Sequence, residues 1–305
     1  MKLKFFVFSL IFSVSFSQTF NELGRFGGAG MDGGLFNNPL AISISKENIV
    51  YVVDTGNNRI QLFDLSGQHL KSIGGFGFKD DQFDAPQDIW VNSVINIYVS
   101  DYNNRRLQRY DRNMNFINSM ASNEGEDSDF QFFEVASCAV SSQNDLFVLD
   151  HDDFKIIKFK RDGTAEHSFG KFDSGEGELD RPWQIDLWGA DKLLVSDSGG
   201  AAILIFDLFG NFIQKIEFDE FKEPAGIEID NRNNIYVADP VAGKVFFIRN
   251  DLSSISQISF PAGFKAPQDV ASVSRDNKNF LYVLDKNEII IGRIENEKSP
   301  SDKEN

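Results

Sequence analysis

The sequence is poor in residues that supply covalent links and metal ligands. Its 305 residues include one cysteine, Cys138, so no disulfide can form within the chain. Cys138 lies in the apolar run VASCAV, and we predict that it is a buried core residue. The only histidines are His69, His151 and His167. Catalytic zinc typically needs three protein ligands. His69 and His167 fall at the outermost strands of their repeated segments and His151 falls in a loop, so we expect that they cannot converge on one metal, which argues against a zinc enzyme.

Basic residues are also scarce. The chain has 30 Lys and Arg against 46 Asp and Glu, a net charge of −16. Nucleic acids and anionic membranes are bound through Lys and Arg, so we expect neither as a partner. One local cluster combines basic and aromatic residues, and we expect its arginines to face solvent; the cluster comprises Arg105, Arg106, Arg109, Tyr102 and Tyr110.

Long apolar runs are absent except near the N-terminus. Lys2 and Lys4 precede an apolar segment, residues 5–16, that is too short to span a bilayer. Ser15 and Ser17, at the end of this segment, are small residues at the positions that matter for cleavage of a signal peptide. We predict a secretory signal at residues 1–17, with an uncleaved anchor as the alternative. The mature chain is then expected to be exported, periplasmic or extracellular, monomeric and without a membrane span.

What the sequence does contain is an internal repeat. Six acidic residues recur at intervals of 42 to 49 residues, namely Asp54, Asp101, Asp150, Asp197, Asp239 and Asp285. A large apolar residue stands three positions before each of them, and another stands nine positions after. In the first repeat the runs LAISIS, IVYVVD, RIQLFDL and HLKSIG are separated by turn residues. This pattern predicts an all-β, six-bladed propeller of four-stranded antiparallel blades.

The two ends of the repeat region complement each other. Residues 20–28 resemble the last strand of a repeat, while the sixth repeat lacks a fourth apolar run and has a longer loop, SRDNKN, between its first two strands. We predict that the N-terminal strand completes the last blade and closes the ring, which removes open sheet edges. The propeller is predicted to span residues 18–294, with a disordered polar tail at 295–305.

The repeated pattern P-x-x-I-x-V, Y-V-x-D and G-N-N-R-I-Q-x-F-D is clearest at residues 39–64 and 86–111. It resembles the NHL repeat family, and the resemblance implies a six-bladed propeller. A cation follows the acid by five positions in four repeats, as Arg59, Arg106, Lys155 and Lys244. We interpret the repeated acids as structural: each is expected to accept backbone N–H groups of the following turn and to pair with that cation.

Ligands of propellers usually bind at the central channel, by analogy between folds. The innermost strands are expected to begin just after the prolines that end the connections between repeats; repeat three lacks this proline and has Glu134 near its position. The residues that follow differ between repeats and give the candidate ligand-binding set of Gln87, Asp88, Trp183, Gln184, Gln268 and Asp269. Carboxylates such as Asp88 and Asp269 could hold Ca²⁺. The alternative is that these residues pack between blades.

Two functions therefore remain open. The first is a binding or scaffold module for a protein, peptide or glycan, with no catalytic residue assigned. The second follows from the resemblance to propeller enzymes, and is a metal-dependent hydrolase or lyase, lactonase-like or amidating-lyase-like, that uses the channel face.

Overall fold

The computed structural model describes residues 18–91, 96–122, 125 and 127–296. The predicted signal, residues 1–17, and the tail from residue 297 lie outside these residues. The regular secondary structure of the described residues is strand, apart from three short 3₁₀ turns at Thr55–Asn57, Ser128–Phe130 and Gly175–Gly177. We number the strands in chain order, and the first, β1, is Gln18–Gly27.

Each blade is a four-stranded antiparallel meander, as the sequence predicted. The strands of blades 1 to 3 are β2 (Ala41–Ile44), β3 (Val50–Asp54), β4 (Arg59–Phe63), β5 (His69–Gly74), β6 (Pro86–Trp90), β7 (Asn96–Asp101), β8 (Arg106–Asp111), β9 (Phe116–Met120), β10 (Val135–Val140), β11 (Leu146–Asp150), β12 (Lys155–Phe159) and β13 (Ala165–Phe169). Blades 4 to 6 comprise β14 (Pro182–Trp188), β15 (Lys192–Asp197), β16 (Ala202–Asp207), β17 (Phe212–Glu217), β18 (Ile227–Ile229), β19 (Ile235–Asp239), β20 (Lys244–Ile248), β21 (Ile255–Ser259), β22 (Pro267–Arg275), β23 (Lys278–Asp285) and β24 (Glu288–Asn296).

The blades form a closed ring. The first strands of the six blades, β2, β6, β10, β14, β18 and β22, each contact the next, and β22 contacts β2. These strands surround the central channel. We call the upper face the end where the first strands begin; it carries the connections between blades and the turns between second and third strands. The lower face carries the other two hairpin turns of each blade.

The N-terminal strand latches the ring, which confirms the predicted closure. Strand β1 pairs antiparallel with β24 from Gln18↔Asn296 to Gly27↔Glu288, and so serves as the outermost strand of blade 6. Phe20, which is 1% exposed, packs edge-on against Phe260 and Phe264 with centroids 5.0 and 5.4 Å away. Because β24 continues to Asn296, the last strand ends two residues beyond the predicted boundary of the propeller.

Apolar side chains fill the space between neighbouring blades. In five repeats one large apolar residue, 18 positions before the repeated acid, is buried where the connection enters the next blade; these residues are Phe36, Phe83, Phe132, Leu179 and Phe221. In the sixth repeat, Phe264 is partly buried. Full burial of such a side chain stabilises the fold by about 1.5–3 kcal/mol. The sequence analysis overlooked this repeated position.

The six repeated acids are structural and buried. Asp101 accepts four hydrogen bonds: from the Asp84 N–H at 2.8 Å, Asn104 Nδ2 at 2.9 Å, Arg106 Nε at 2.8 Å and Gln108 Nε2 at 2.9 Å. Asp54 repeats this arrangement. The carboxylate therefore ties the second and third strands to the connection that enters its own blade.

Two details of the predicted role were wrong. The backbone donors come mainly from the connection 16 to 20 residues before the acid, as for Asp285, rather than from the following turn. The pairing with a cation holds only for Arg59 and Arg106. Lys155 contacts Asp153 at 2.7 Å, and Lys244 contacts Glu220 at 2.5 Å, because acidic residues lie closer to their ammonium groups.

The predicted long loop of repeat six was also wrong. Strands β22 and β23 pair as far as Arg275↔Lys278 and leave a two-residue turn. Asp276 and Asn277 have φ values of 50° and 59°, as a type I′ turn requires. The extra residues therefore lengthen the hairpin, which extends the lower face of blade 6.

Candidate functional site

The walls of the channel are joined by hydrogen bonds between blades. Asp269 of blade 6 accepts from the Ile42 N–H of blade 1 at 2.9 Å. Glu228 of blade 5 accepts from the Ser272 hydroxyl of blade 6 at 2.6 Å and from its N–H at 3.0 Å. Gly226 of blade 5 lies so close to Asp269 that a Cβ there would be 2.3 Å from its carboxylate oxygen.

A second group of bonds joins blades 2 to 5. The Gln184 side chain of blade 4 donates from Nε2 to Asp88 Oδ1 of blade 2 at 3.2 Å and accepts from the Ile227 N–H of blade 5 at 2.6 Å. The Ser137 hydroxyl of blade 3 donates to Asp88 Oδ2 at 2.5 Å. We call the side chains of Asp88, Ser137, Gln184, Glu228, Asp269 and Ser272 the channel ring.

Carboxyl groups inside the channel have raised pKa values. Burial raises the pKa of Glu228 to about 8, and the charge of Asp186 adds to this effect. Burial likewise raises the pKa of Asp186 to about 7. The pKa of Asp88 is raised, and that of Asp269 is raised well above its ordinary value, with burial as the main cause in both. Because the four groups repel one another, their protonation is coupled.

The channel is narrow at this level. The cavity between Asp88, Asp186 and Glu228 has a volume of about 30 Å³, which suits one or two water molecules and excludes a sugar or peptide. Asp88, Gln184 and Asp269 of the predicted set use their polar atoms in the channel ring. A ligand of any size would therefore contact the mouth of the channel.

The other predicted residues lie at that mouth. Gln87, Trp183 and Gln268 are half-buried, and none makes a side-chain hydrogen bond within the described part of the chain. Ligand binding by the set stays a prediction. For the possible Ca²⁺ site at Asp88 and Asp269, the described residues include no group of three or more His, Cys, Asp or Glu arranged to hold a metal ion.

The structure brings together three ionisable side chains at the upper face between blades 2 and 3. The Tyr102 hydroxyl donates a short hydrogen bond to Glu134 and lies 3.1 Å from His151 Nδ1. Its single proton goes to Glu134, so Nδ1 of His151 must be the donor in the second bond. His151 Nε2 is then an acceptor, and it is buried without a hydrogen-bond partner in the part of the chain that the structure describes. We call these three residues the mouth cluster.

Burial shapes the electrostatics of the mouth cluster. It lowers the pKa of His151, against the opposing charge of Glu134. It also raises the pKa of Tyr102, and the bond to Glu134 adds to the rise. The imidazole is therefore neutral and the phenol protonated near pH 7. The sequence signal for this cluster was the missing proline of repeat three, where Glu134 stands near the proline position.

Exposed aromatic residues lie in a connection that is hydrogen-bonded to the turn after Tyr102. In the connection that enters blade 2, Phe76 is 73% and Phe78 is 69% exposed. The turn that follows Tyr102 holds this connection, because Asn104 Nδ2 donates to the Gly77 carbonyl at 2.8 Å. The Arg106 guanidinium lies 4.8 Å from the Phe78 ring centroid. The aromatic side chains and the mouth cluster therefore share one sector of the upper face.

The surroundings of this sector are acidic. Connections and turns on the upper face carry many more acidic than basic residues, and the exposed acids of blades 2 to 4 include Asp80, Asp81, Asp127, Asp129, Asp152, Asp153, Asp173, Glu176, Glu178 and Asp180. The remaining histidines lie elsewhere, His69 in β5 and His167 in β13, both outermost strands as predicted. No helix within the described ranges is long and apolar enough to cross a membrane.

Comparison with known proteins agrees with the geometry. A family described as a 6-bladed beta-propeller matches residues 173–290, and the NHL repeat matches residues 36–63. The fold and its inter-blade channel thus define a six-bladed β-propeller. Within that class, the match at residues 36–63 is to the NHL repeat, which confirms the resemblance seen in the sequence.

Relatives among characterised proteins match about a third of this chain. Protein brain tumor of Drosophila melanogaster is 27% identical over 111 residues, 36% of this chain and 11% of that protein. The E3 ubiquitin-protein ligase NHLRC1 of Rattus norvegicus is 28% identical over 105 residues, 34% of this chain and 26% of that protein. The chain thus matches about a quarter or less of each relative.

Solved structures show the same fold at low sequence identity. A streptogramin B lyase superposes with a TM-score of 0.60 and 15% identity, covering 92% of this chain and 98% of that one. A gluconolactonase from Xanthomonas campestris gives a TM-score of 0.64 at 11% identity, covering 85% and 86%. A protein of unknown function from Bacteroides thetaiotaomicron gives 0.65 at 14%, covering 92% and 76%.

Proposed function

We propose that the protein is a binding module, and that the blade 2 and blade 3 sector of its upper face receives a protein or peptide with cationic and apolar groups. The observation that carries this proposal is the position of exposed Phe76 and Phe78 beside the mouth cluster. Exposed aromatic groups often mark interaction sites. The sequence also allowed a glycan as the ligand, but the combination of aromatic and acidic groups on this face favours a polypeptide.

Each part of the sector has a role in this proposal. Phe76 and Phe78 supply apolar contact area, which dominates the energetics of interfaces. The Glu134 carboxylate, about 41% exposed in its side chain, accepts a cationic group of the ligand. His151 Nε2 accepts a donor from the ligand, which removes the cost of an unpaired buried acceptor. The acidic surroundings accelerate the approach of a cationic partner.

A panel of peptide probes tests the proposal by fluorescence anisotropy. We expect a peptide that alternates Lys and Leu to bind the intact chain, and added salt to weaken its binding. Its acidic counterpart, with Glu in place of Lys, serves as control and should not bind. Equal binding of an oligolysine without apolar residues would contradict the role of the aromatic groups.

A metal-dependent hydrolase or lyase that uses the channel face remains the second candidate. Support for it is limited to the fold shared with a streptogramin B lyase and a gluconolactonase. Elemental analysis of the purified protein tests it, because a bound stoichiometric ion is what this candidate requires.

We further propose that the protein is exported through the signal at residues 1–17 and acts in the periplasm or the medium. Lys2, Lys4 and the apolar segment that follows support this proposal. N-terminal sequencing of the protein recovered from the exported fraction should begin at Gln18. A retained Met1 in that fraction would contradict cleavage.

A further inference from the structure

A basic pocket lies on the lower face between blades 5 and 6, far from the proposed upper-face site. Its volume is about 520 Å³, within the range of small-molecule sites. Arg232, Arg249, Lys278 and Arg293 line it, and Glu295 is the one carboxylate among its lining residues. Such a concentration of cations stands out in a chain with a net charge of −16.

Turns from two blades build the pocket. Arg232 follows β18, Arg249 follows β20, and Lys278 begins β23. Lys278 lies in the β22–β23 hairpin. The two strands of this hairpin have 9 and 8 residues, whereas the equivalent strands of blade 1 have 4 and 5. The wall on the blade 6 side therefore exists because the sixth repeat differs from the other copies.

The cations of the pocket are incompletely paired. Arg249 lies 3.7 Å from Asp251, and Arg293 contacts Glu295. Arg232 and Lys278 are exposed and form no ion pair with any described residue. The Nε atom of Arg293 is buried and has no hydrogen-bond partner among the described residues. A buried donor without a partner costs about 1–3 kcal/mol, and a bound acceptor would remove that cost.

Neutral groups give the pocket a fixed shape. The Asn250 side chain donates to the Arg232 carbonyl at 2.8 Å, and its N–H donates to Asn234 Oδ1 at 3.1 Å, so the two turns of blade 5 are joined. Phe247, 8% exposed, contributes an apolar part of the floor. Asn277 and Asn279 line the opposite wall with amide groups.

We propose that this pocket binds a sugar that carries an oxyanion, either a carboxylate or a phosphate group. Arginine guanidinium groups match the geometry of both oxyanions. Side-chain amides suit the hydroxyl groups of the sugar ring, since they both donate and accept. The proposal goes beyond the upper-face function, because it uses other blades and the opposite face.

Isothermal titration of the full chain at low ionic strength tests this proposal. The probes are glucose 6-phosphate, glucuronic acid, glucose and inorganic phosphate. We expect one or both anionic sugars to bind, and the comparison between them identifies the preferred oxyanion. Glucose should bind at least tenfold more weakly, since it lacks the charge. If glucose binds as tightly as both anionic sugars, or free phosphate binds as tightly as glucose 6-phosphate, the proposal is overturned.

Charge-removal variants locate the site. The double variant Arg232→Gln, Lys278→Gln changes two exposed side chains, so it should fold normally and raise the Kd of the anionic sugar at least tenfold. The matched control, Lys46→Gln with Arg112→Gln, removes two exposed cations from the lower face of blades 1 and 2. An equal loss of affinity in the control would attribute binding to the general surface charge and refute the pocket.

Discussion

Gln184 and Asp88 are hydrogen-bonded across the channel at 3.2 Å, although they belong to blades 4 and 2. Both were candidates for ligand binding in the sequence. The structure shows that their polar atoms hold the blades together, and Asp88 is buried there with a raised pKa. This relationship moves the search for a ligand from the centre of the channel to its mouth.

The channel carboxyl groups predict a pH dependence of stability. The pKa of Glu228 in the folded protein is about 8, against about 4.3 when unfolded, so the folded state binds more protons between these values. The contribution of Glu228 to stability is then full below about pH 4 and is lost as the pH rises towards 8, by up to about 1.4 kcal/mol per pH unit for one proton.

Melting temperatures between pH 5 and 8.5 check this prediction. Glu228→Gln should reduce the slope, because its amide oxygen can still accept from Ser272 but does not ionise. Glu217→Gln, at an exposed position of β17, should keep the slope of the unchanged protein. Identical slopes for both variants would rule out the channel as the origin.

The repeated acids should differ in importance according to their partners. Asp101→Ala leaves Arg106, which is 5% exposed, without its carboxylate, and should cost about 3–5 kcal/mol. In the fourth repeat Ala202 replaces the cation, so Asp197→Ala loses mainly hydrogen bonds and should cost about 1–3 kcal/mol. Urea denaturation measures both, and a larger effect at Asp197 would contradict this account.

The latch between the chain ends can be tested with two glycines. A Cβ on Gly292 of β24 would lie 2.2 Å from the Phe20 ring, whereas a Cβ on Gly24 of β1 would meet nothing within 4 Å. Gly292→Ala should therefore destabilise the protein by about 1–3 kcal/mol, and Gly24→Ala should not. Thermal unfolding monitored by circular dichroism compares the two variants. Equal melting temperatures of the two variants would contradict the prediction and would show that the Phe20 ring can move without cost.

Metal removal separates the two candidate functions. All four carboxylate oxygens of Asp88 and Asp269 already accept hydrogen bonds, so we expect a chelator to leave the melting temperature unchanged. A ligand that binds only the folded state raises stability by mass action. One equivalent of calcium or zinc, together with a chelator-sensitive melt, would favour the hydrolase or lyase.

Most of the fold could be predicted because the same sequence pattern occurs six times. The spacing of the acids predicted the number of blades, and the unmatched apolar runs at both ends predicted that the N-terminal strand completes the last blade. The predictions that were wrong depended on neighbours in space. Lys155 and Lys244 pair with other acidic residues that lie closer. The segment predicted as a long loop in repeat six forms a longer hairpin that turns at Asp276 and Asn277.

The candidate site was less predictable for a physical reason. Residues at the channel, such as Gln184, are joined across blades by contacts that no sequence spacing encodes. The mouth cluster combines Tyr102, Glu134 and His151 from two repeats, and its only sequence signal was a missing proline. The basic pocket likewise joins turns of blades 5 and 6 that lie far apart in the chain.

The most direct measurement of the central claim compares binding of the Lys and Leu peptide by two serine variants. In Phe76→Ser with Phe78→Ser the apolar part of the upper face is removed, while Phe209→Ser removes an aromatic residue that is 74% exposed on the lower face. We predict at least tenfold weaker binding by the upper-face variant and unchanged binding by the lower-face variant. Unchanged binding by the upper-face variant would contradict the proposal that this sector receives the ligand.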